Sequence, residues 1–155
     1  KLKAALSYDP LTGCLYWRKQ RGQKRTGDVA GHVDTFGYVV IRFEGKAFKS
    51  HRIAYLLMEN EWPPNFIDHI NGVRSDNRWI NLRKATRQQN SYNKGLDKRS
   101  STLIRNVYKK RNQYGVMVST PTGRKYIGAF DGIELAELVA IEAQDKYHRE
   151  YARKI

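Results

Sequence analysis

The stretch IDHINGVRSDNRWINLRKATRQQN, from Ile67 to Asn90, holds the residues best suited to chemistry. Asp68 and His69 are adjacent, Asn81 follows twelve residues after the histidine, and Asn90 nine residues after that. Carboxylate and carboxamide oxygens are hard donors that suit Mg²⁺, Mn²⁺ or Ca²⁺ rather than a thiolate-seeking ion. A histidine beside them can serve as a general base near neutral pH. An ion held by two protein oxygens keeps positions for water and phosphate, which is what phosphodiester hydrolysis requires. Taken singly, each residue has a duller role. An Asp before a turn usually bonds local backbone, and an Asn in a helix is usually solvated. Neighbouring side chains on a regular strand also point to opposite faces, so Asp68 and His69 share a site only where the strand ends or distorts. The Asn71-Gly72 turn signal just beyond them supplies such an end.

The elements that must position these residues fall into three segments. In the first, LYWRKQ (15–20) reads as a short strand and RGQKRTGD (21–28) as a basic loop. GYVVIRFEGKAFKSHR (37–52) reads as a hairpin around Glu44-Gly45. In the second, Ser50 caps a helix with Ile53, Leu56, Leu57 and Asn60 on one face, ended by Pro63-Pro64. FIDHI is a strand, WINLR the returning strand, and a second helix runs from a Thr86 cap to about Asn93. KGLDKRSST (94–102) is polar and lacks periodicity. The third segment holds three alternating runs, IRNVYKK, QYGVMVST and RKYIGAF, with turns at 111–112 and 121–123. One amphipathic helix then follows Asp131-Gly132, its faces marked by Leu135, Leu138, Val139, Ile141, Glu142 and Tyr147. Three strands and a helix make a small sheet with the helix packed behind it. The fold class is therefore α+β. The expected domains are a β-rich segment at 1–49, a core carrying Asp68 and His69 at 50–96, a linker at 97–102 and a sheet-and-helix domain at 103–155.

Charge narrows the partners. Lys and Arg total 29 against 15 Asp and Glu, a net +14 at pH 7. Such a surface points to a polyanion, nucleic acid first and an anionic membrane surface second. Eight of the basic side chains fall between Lys98 and Lys125 with no acidic one among them. Aromatic residues, 12% of the chain, are interleaved with the charges, which indicates folded basic surfaces rather than a disordered tail. The single cysteine, Cys14, excludes an internal disulfide framework and a four-thiolate zinc site, and reads as a small buried residue. No apolar run is long enough for a membrane span, and the first residues are too short an apolar stretch for a secretory signal. The expected setting is soluble and cytoplasmic.

Residues 50–93, through SHRIAYLLMENEWPP, IDHINGVRSDN and INLRKATRQQN, resemble the HNH endonucleases of phage and homing type, the ββα-metal nucleases. The resemblance implies that Asp68 and Asn90 bind one divalent metal, Mg²⁺ or Mn²⁺, and that His69 is the general base activating water. It gives Asn81 the task of holding the loop and orienting His69 through backbone. Asn93 is a weaker candidate on the same helical face, and His51 reads as a structural or capping histidine. Residues 101–152, through IRNVYKKRNQYGVMVST and GRKYIGAFDGIELAELVAIEAQDKYHREY, resemble the AP2-type DNA-binding domain. Asn106 stands where that pattern has Gly, and Tyr114 where it has Trp. A three-stranded sheet can read a major groove, with Arg105, Lys110, Arg111, Arg124 and Lys125 as the expected contacts. Tyr108, Tyr114 and Tyr126 would pack on sugars or bases, or fill the sheet. Charge alone adds Arg18, Lys19, Arg21, Lys24 and Arg25 as a second grip on the backbone.

The expected activity is metal-dependent nicking of double-stranded DNA by a monomer or weak dimer, in the host cell of a phage or mobile element. Two other readings share the charge. A regulatory DNA-binding protein on a nuclease-like fold would usually have lost the base or a metal ligand, and here Asp68, His69, Asn81 and Asn90 are all present. An RNA-binding or ribosome-associated protein would not explain the spacing around Asp68 and His69.

Overall fold

A computed structural model describes residues 1–63, 65–93 and 100–151. The fold is α+β, with small antiparallel sheets and short helices. The chain divides into two compact units, Lys1–Arg87 and Gln88–Ile155.

In the first unit, the single helical turn α1 (Leu2–Ala5) leads into β1 (Leu6–Tyr8), which pairs with β2 (Leu15–Trp17). A second sheet joins β3 (His32–Val33), β4 (Val39–Phe43) and β5 (Lys46–Lys49). The β4–β5 turn is Glu44-Gly45 as expected, with φ of 47° and 76°. Two left-handed residues form the two-residue turn whose twist matches that of the strands. Helix α2 (Ser50–Glu59) follows directly. Leu6, Leu15, Trp17, Ala30, Ile41, Phe43 and Ile53 form one buried cluster, so β1, β2 and β4 share a core with α2. Cys14, expected to be buried, is half-buried.

Two helix-end expectations are corrected. Ser50 is not the cap. Lys49 holds the extended cap conformation, while Ser50 is already helical and buried, and its Oγ has no hydrogen-bond partner. The far end is set by Asn60, whose φ of 61° satisfies the terminal turn in a left-handed conformation before Pro63 is reached. Asn60 is exposed and does not extend the buried face. Pro64 lies outside the described residues.

Strand β6 (Phe66–His69) pairs antiparallel with β7 (Leu82–Ala85), placing Asp68 opposite Arg83 and His69 opposite Leu82. The expected strand WINLR begins later than its sequence suggests. Trp79–Asn81 is a 3₁₀ turn, because the Asn81 side chain bonds the loop between the strands. Helix α3 (Arg87–Tyr92) crosses the boundary between the units.

In the second unit, β8 (Val107–Lys110), β9 (Gln113–Thr120) and β10 (Gly123–Phe130) form a sheet with β9 in the centre. Helix α4 (Ile133–His148) packs behind it, as expected. Of the apolar residues that the sequence singles out, Val139 packs against the core, but the buried face is otherwise different. Ala136, Ala140, Ala143, Gln144 and His148 are buried, whereas Leu135, Leu138 and Ile141 are exposed. Alanines at helical spacing let the axis approach the sheet closely, which larger side chains would prevent. Of the expected linker, residues 97–99 lie outside the described residues.

Candidate active site

Both Asp68 and His69 are buried, each only 5% exposed, at the end of β6. The Asp68 Oδ2 accepts hydrogen bonds from Arg83 Nε at 2.9 Å and Nη2 at 2.8 Å. The pair follows from register, since Asp68 and Arg83 are cross-strand partners. The His69 ring lies among residues from other elements. Its Nε2 is 2.9 Å from Asn77 Oδ1. The His51 ring, from the first turn of α2, meets it edge-on at a centroid distance of 4.9 Å. Tyr38 lies 6.1 Å away and Lys49 Nζ stands 3.6 Å over the Tyr38 ring.

Because a carboxamide oxygen only accepts, His69 Nε2 carries the proton and Nδ1 the lone pair. Burial lowers the pKa of His69, opposed by the bond to Asn77 and the charges of Asp68 and Asp76. The neutral imidazole, the form able to take a proton, is thereby favoured at neutral pH. His51 is pushed down to about 3 by burial, then by His69, Lys49 and Arg52. Its Nδ1 is buried without a hydrogen-bond partner.

Asn81 ties the β6–β7 loop together. Its Oδ1 accepts from Asn71 N at 2.9 Å, and its Nδ2 donates to Asn71 Oδ1 at 3.0 Å and to the Asp76 carbonyl at 2.7 Å. Its own carbonyl accepts from Ile70 N, directly after His69. The loop is further closed by Asp76, whose carboxyl the Arg78 guanidinium holds down at about 2. Asn77, Arg83 and Tyr38 are residues that sequence reasoning missed. Asn77 sits eight residues after His69 in a polar loop without periodicity, and Arg83 could be found only by knowing the strand register.

The N-terminal segment braces this loop. The Tyr8 hydroxyl donates to the Asn77 carbonyl at 2.7 Å, and Trp79 N donates to the Pro10 carbonyl at 3.0 Å. Gly13, at φ +75°, lies so close that a Cβ there would stand 2.4 Å from Arg78 N.

Oxygen donors of the kind a hard divalent ion takes are sparse here among the described residues, and the Oδ2 of Asp68 is engaged by Arg83. Asp68 offers a buried carboxylate, and among the described residues no three His, Cys, Asp or Glu converge to enclose a metal. Asn90 lies on α3 within the second unit. Asn93 follows that helix and is buried.

The basic residues distribute unevenly. Arg18, Lys19, Lys24 and Arg25 are exposed on the segment after β2. Arg21 lies over Phe43 at 4.4 Å and Trp17 at 5.6 Å, so it also packs. In the second unit, cross-strand register puts Tyr108, Met117, Ser119, Arg124 and Tyr126 on one face of the sheet. Lys110 joins them, its Nζ 5.2 Å over the Tyr126 ring. Tyr114 is on the opposite face, packed against the core, and Lys125 Nζ lies over Tyr147 of α4. Arg111 is in the β8–β9 turn at φ 53°, and Arg105 Nη1 donates to the Tyr92 carbonyl.

Residues 48–92 match the family model described as HNH endonuclease. The match runs from the end of β5 through α2, β6 and β7 to the end of α3 and supports an HNH nuclease in that segment. No curated protein and no solved structure matches the chain. No helix among the described residues is long and apolar enough to cross a membrane.

Proposed function

We propose that the protein is a metal-dependent endonuclease that hydrolyses phosphodiester bonds in duplex DNA and nicks one strand per monomer. The observation that carries this reading is the buried Asp68–His69 pair with His69 Nε2 bonded to Asn77, inside the segment that matches the HNH model. His69 Nδ1 accepts the proton of the attacking water, and Asn77 keeps the ring in the tautomer that allows this. Asn81 holds the loop against β7. Asp68 and Asn90 would hold one Mg²⁺ or Mn²⁺; the assignment of Asn90 rests on the sequence pattern. When bound, the ion supplies Lewis-acid stabilisation of charge on the phosphate and the leaving oxygen. Lys110 and Arg124, with Tyr108 and Tyr126 on the same sheet face, are our candidates for reading DNA in the manner of an AP2-type sheet. Arg111 and the exposed 18–25 segment would contact phosphates.

A second reading is a DNA-binding protein that does not cut. It is favoured by one contact: Arg83 already satisfies Asp68 Oδ2. Supercoiled plasmid incubated with Mg²⁺ or Mn²⁺ separates the two. Open-circle product that requires metal, stops with EDTA and is lost in His69→Ala establishes the nickase. Linear product points to paired active sites. Retarded plasmid without cleavage, repeated on genomic substrate, supports the binding protein.

A further inference from the structure

The turn between β3 and β4 carries an aromatic side chain exposed to water on a hydrogen-bonded tip. Asp34 Oδ1 accepts from Phe36 N and Tyr38 N, both at 2.9 Å. Gly37 N donates to the Asp34 carbonyl at 2.9 Å, and Asp34 N to the Tyr38 carbonyl at 2.8 Å. Gly37, at φ +83°, allows the tight return. Four hydrogen bonds thus fix a tip whose Phe36 is 71% exposed. The tip is also fastened to the loop that follows His69. Arg74 Nη1 donates to the Phe36 carbonyl at 2.9 Å, and its guanidinium stands 5.1 Å from the Tyr38 ring, beside His69. On that second loop Ile70 and Val73 are exposed as well.

An isolated exposed apolar side chain is ordinary, but here three of them lie on two loops tied together at the candidate base. The cations of Arg74 and Lys49 both lie against the Tyr38 ring between these loops. The carboxylates of these loops are engaged elsewhere, Asp34 in its own turn and Asp76 with Arg78. Cations beside apolar side chains complement a phosphate backbone with base pairs inside it. Proteins that bind the minor groove frequently insert apolar side chains as wedges between base steps.

We propose that Phe36 is such a wedge, inserted between base pairs from the minor groove beside the phosphate presented to His69, with Arg74 and Lys49 on the flanking phosphates. The role rests on the DNA-cleaving reading and adds to it a residue that distorts the substrate. Its test avoids cleavage. Closed circular plasmid is relaxed in EDTA by a metal-independent type I topoisomerase with the protein bound, then deproteinised and its linking number read on a gel. An inserted side chain unwinds DNA, so wild-type protein lowers the linking number in proportion to the amount bound. Phe36→Ala, matched for bound protein and for melting temperature, loses at least half of that shift, and Phe36→Leu retains it. No shift with wild type, or an equal shift with Phe36→Ala, overturns the wedge. Metal-dependent nicking of the same plasmid judges the nuclease reading separately.

Discussion

At the residue scale, the site depends on one carboxamide. Asn77 Oδ1 faces His69 Nε2 and favours the tautomer with the proton there, while His51 and Tyr38 pack against the ring. Asn77→Ala is expected to lower the nicking rate by roughly 10- to 100-fold, the range seen for groups that orient site residues, while DNA retention stays within a factor of about two, as expected of a residue away from phosphate contacts. Single-turnover nicking alongside a gel-shift titration measures both. A larger fall in binding than in rate would assign Asn77 to substrate contact instead. Asp68, His69, Asn81 and Asn90 were singled out from types and spacing, which are local facts; that they act as a set belongs to the proposal. Asn77 was not singled out, because an Asn in SDNR looks like any other loop Asn until the loop is folded over the ring.

At the element scale, the first fifty residues do more than add charge. The β1–β2 hairpin supplies core residues for α2, and the loop inside it backs Asn77 through Tyr8, Pro10 and Gly13. Gly13→Ala is expected to destabilise the protein by about 2 kcal/mol or more, from left-handed strain plus a clash with backbone that cannot move aside. It should also depress nicking, although residue 13 is far from His69 in sequence. Gly45→Ala is the control. Its φ of +76° carries the same strain, but nothing lies within 4 Å of the added Cβ, so stability falls while specific activity of the folded protein holds. Thermal melts and plasmid nicking of both variants test this; equal activity in Gly13→Ala would separate the hairpin from the site. The β4–β5 hairpin was legible from alternation and the Glu44-Gly45 turn, whereas of the β1–β2 hairpin only the second strand was. The bracing role of the β1–β2 hairpin was not legible, since it depends on contacts between residues 8–13 and 77–79.

At the scale of the whole molecule, burial of imidazoles makes folding sensitive to acid. His51 titrates near 6.5 when unfolded and at about 3 when folded, so the unfolded chain binds more protons between those values. Its contribution is complete above pH 6.5 and is lost as pH falls toward 3, at up to about 1.4 kcal/mol per pH unit. His148, lowered chiefly by burial, acts in the same direction in the second unit. All three tryptophans, Trp17, Trp62 and Trp79, lie in the first unit with His51, so their fluorescence reports its unfolding. Urea midpoints at pH 7.5, 6.0 and 5.0 should fall in that order. A midpoint unchanged between pH 7.5 and 5.0 would remove His51 from the balance.

By itself the sequence determined the α+β class, the order of the longer strands and helices from β4 onward, and tight turns such as Glu44-Gly45. These are governed by side-chain alternation and by backbone preferences within a few residues. Tertiary structure alone decided that Asn77 holds His69, that Arg83 meets Asp68, that the N-terminal hairpin backs the loop, and that α4 buries alanines while its leucines face outward. Each of these depends on the register and approach of elements distant in the chain, and residue type carries no record of which partner will arrive across that distance.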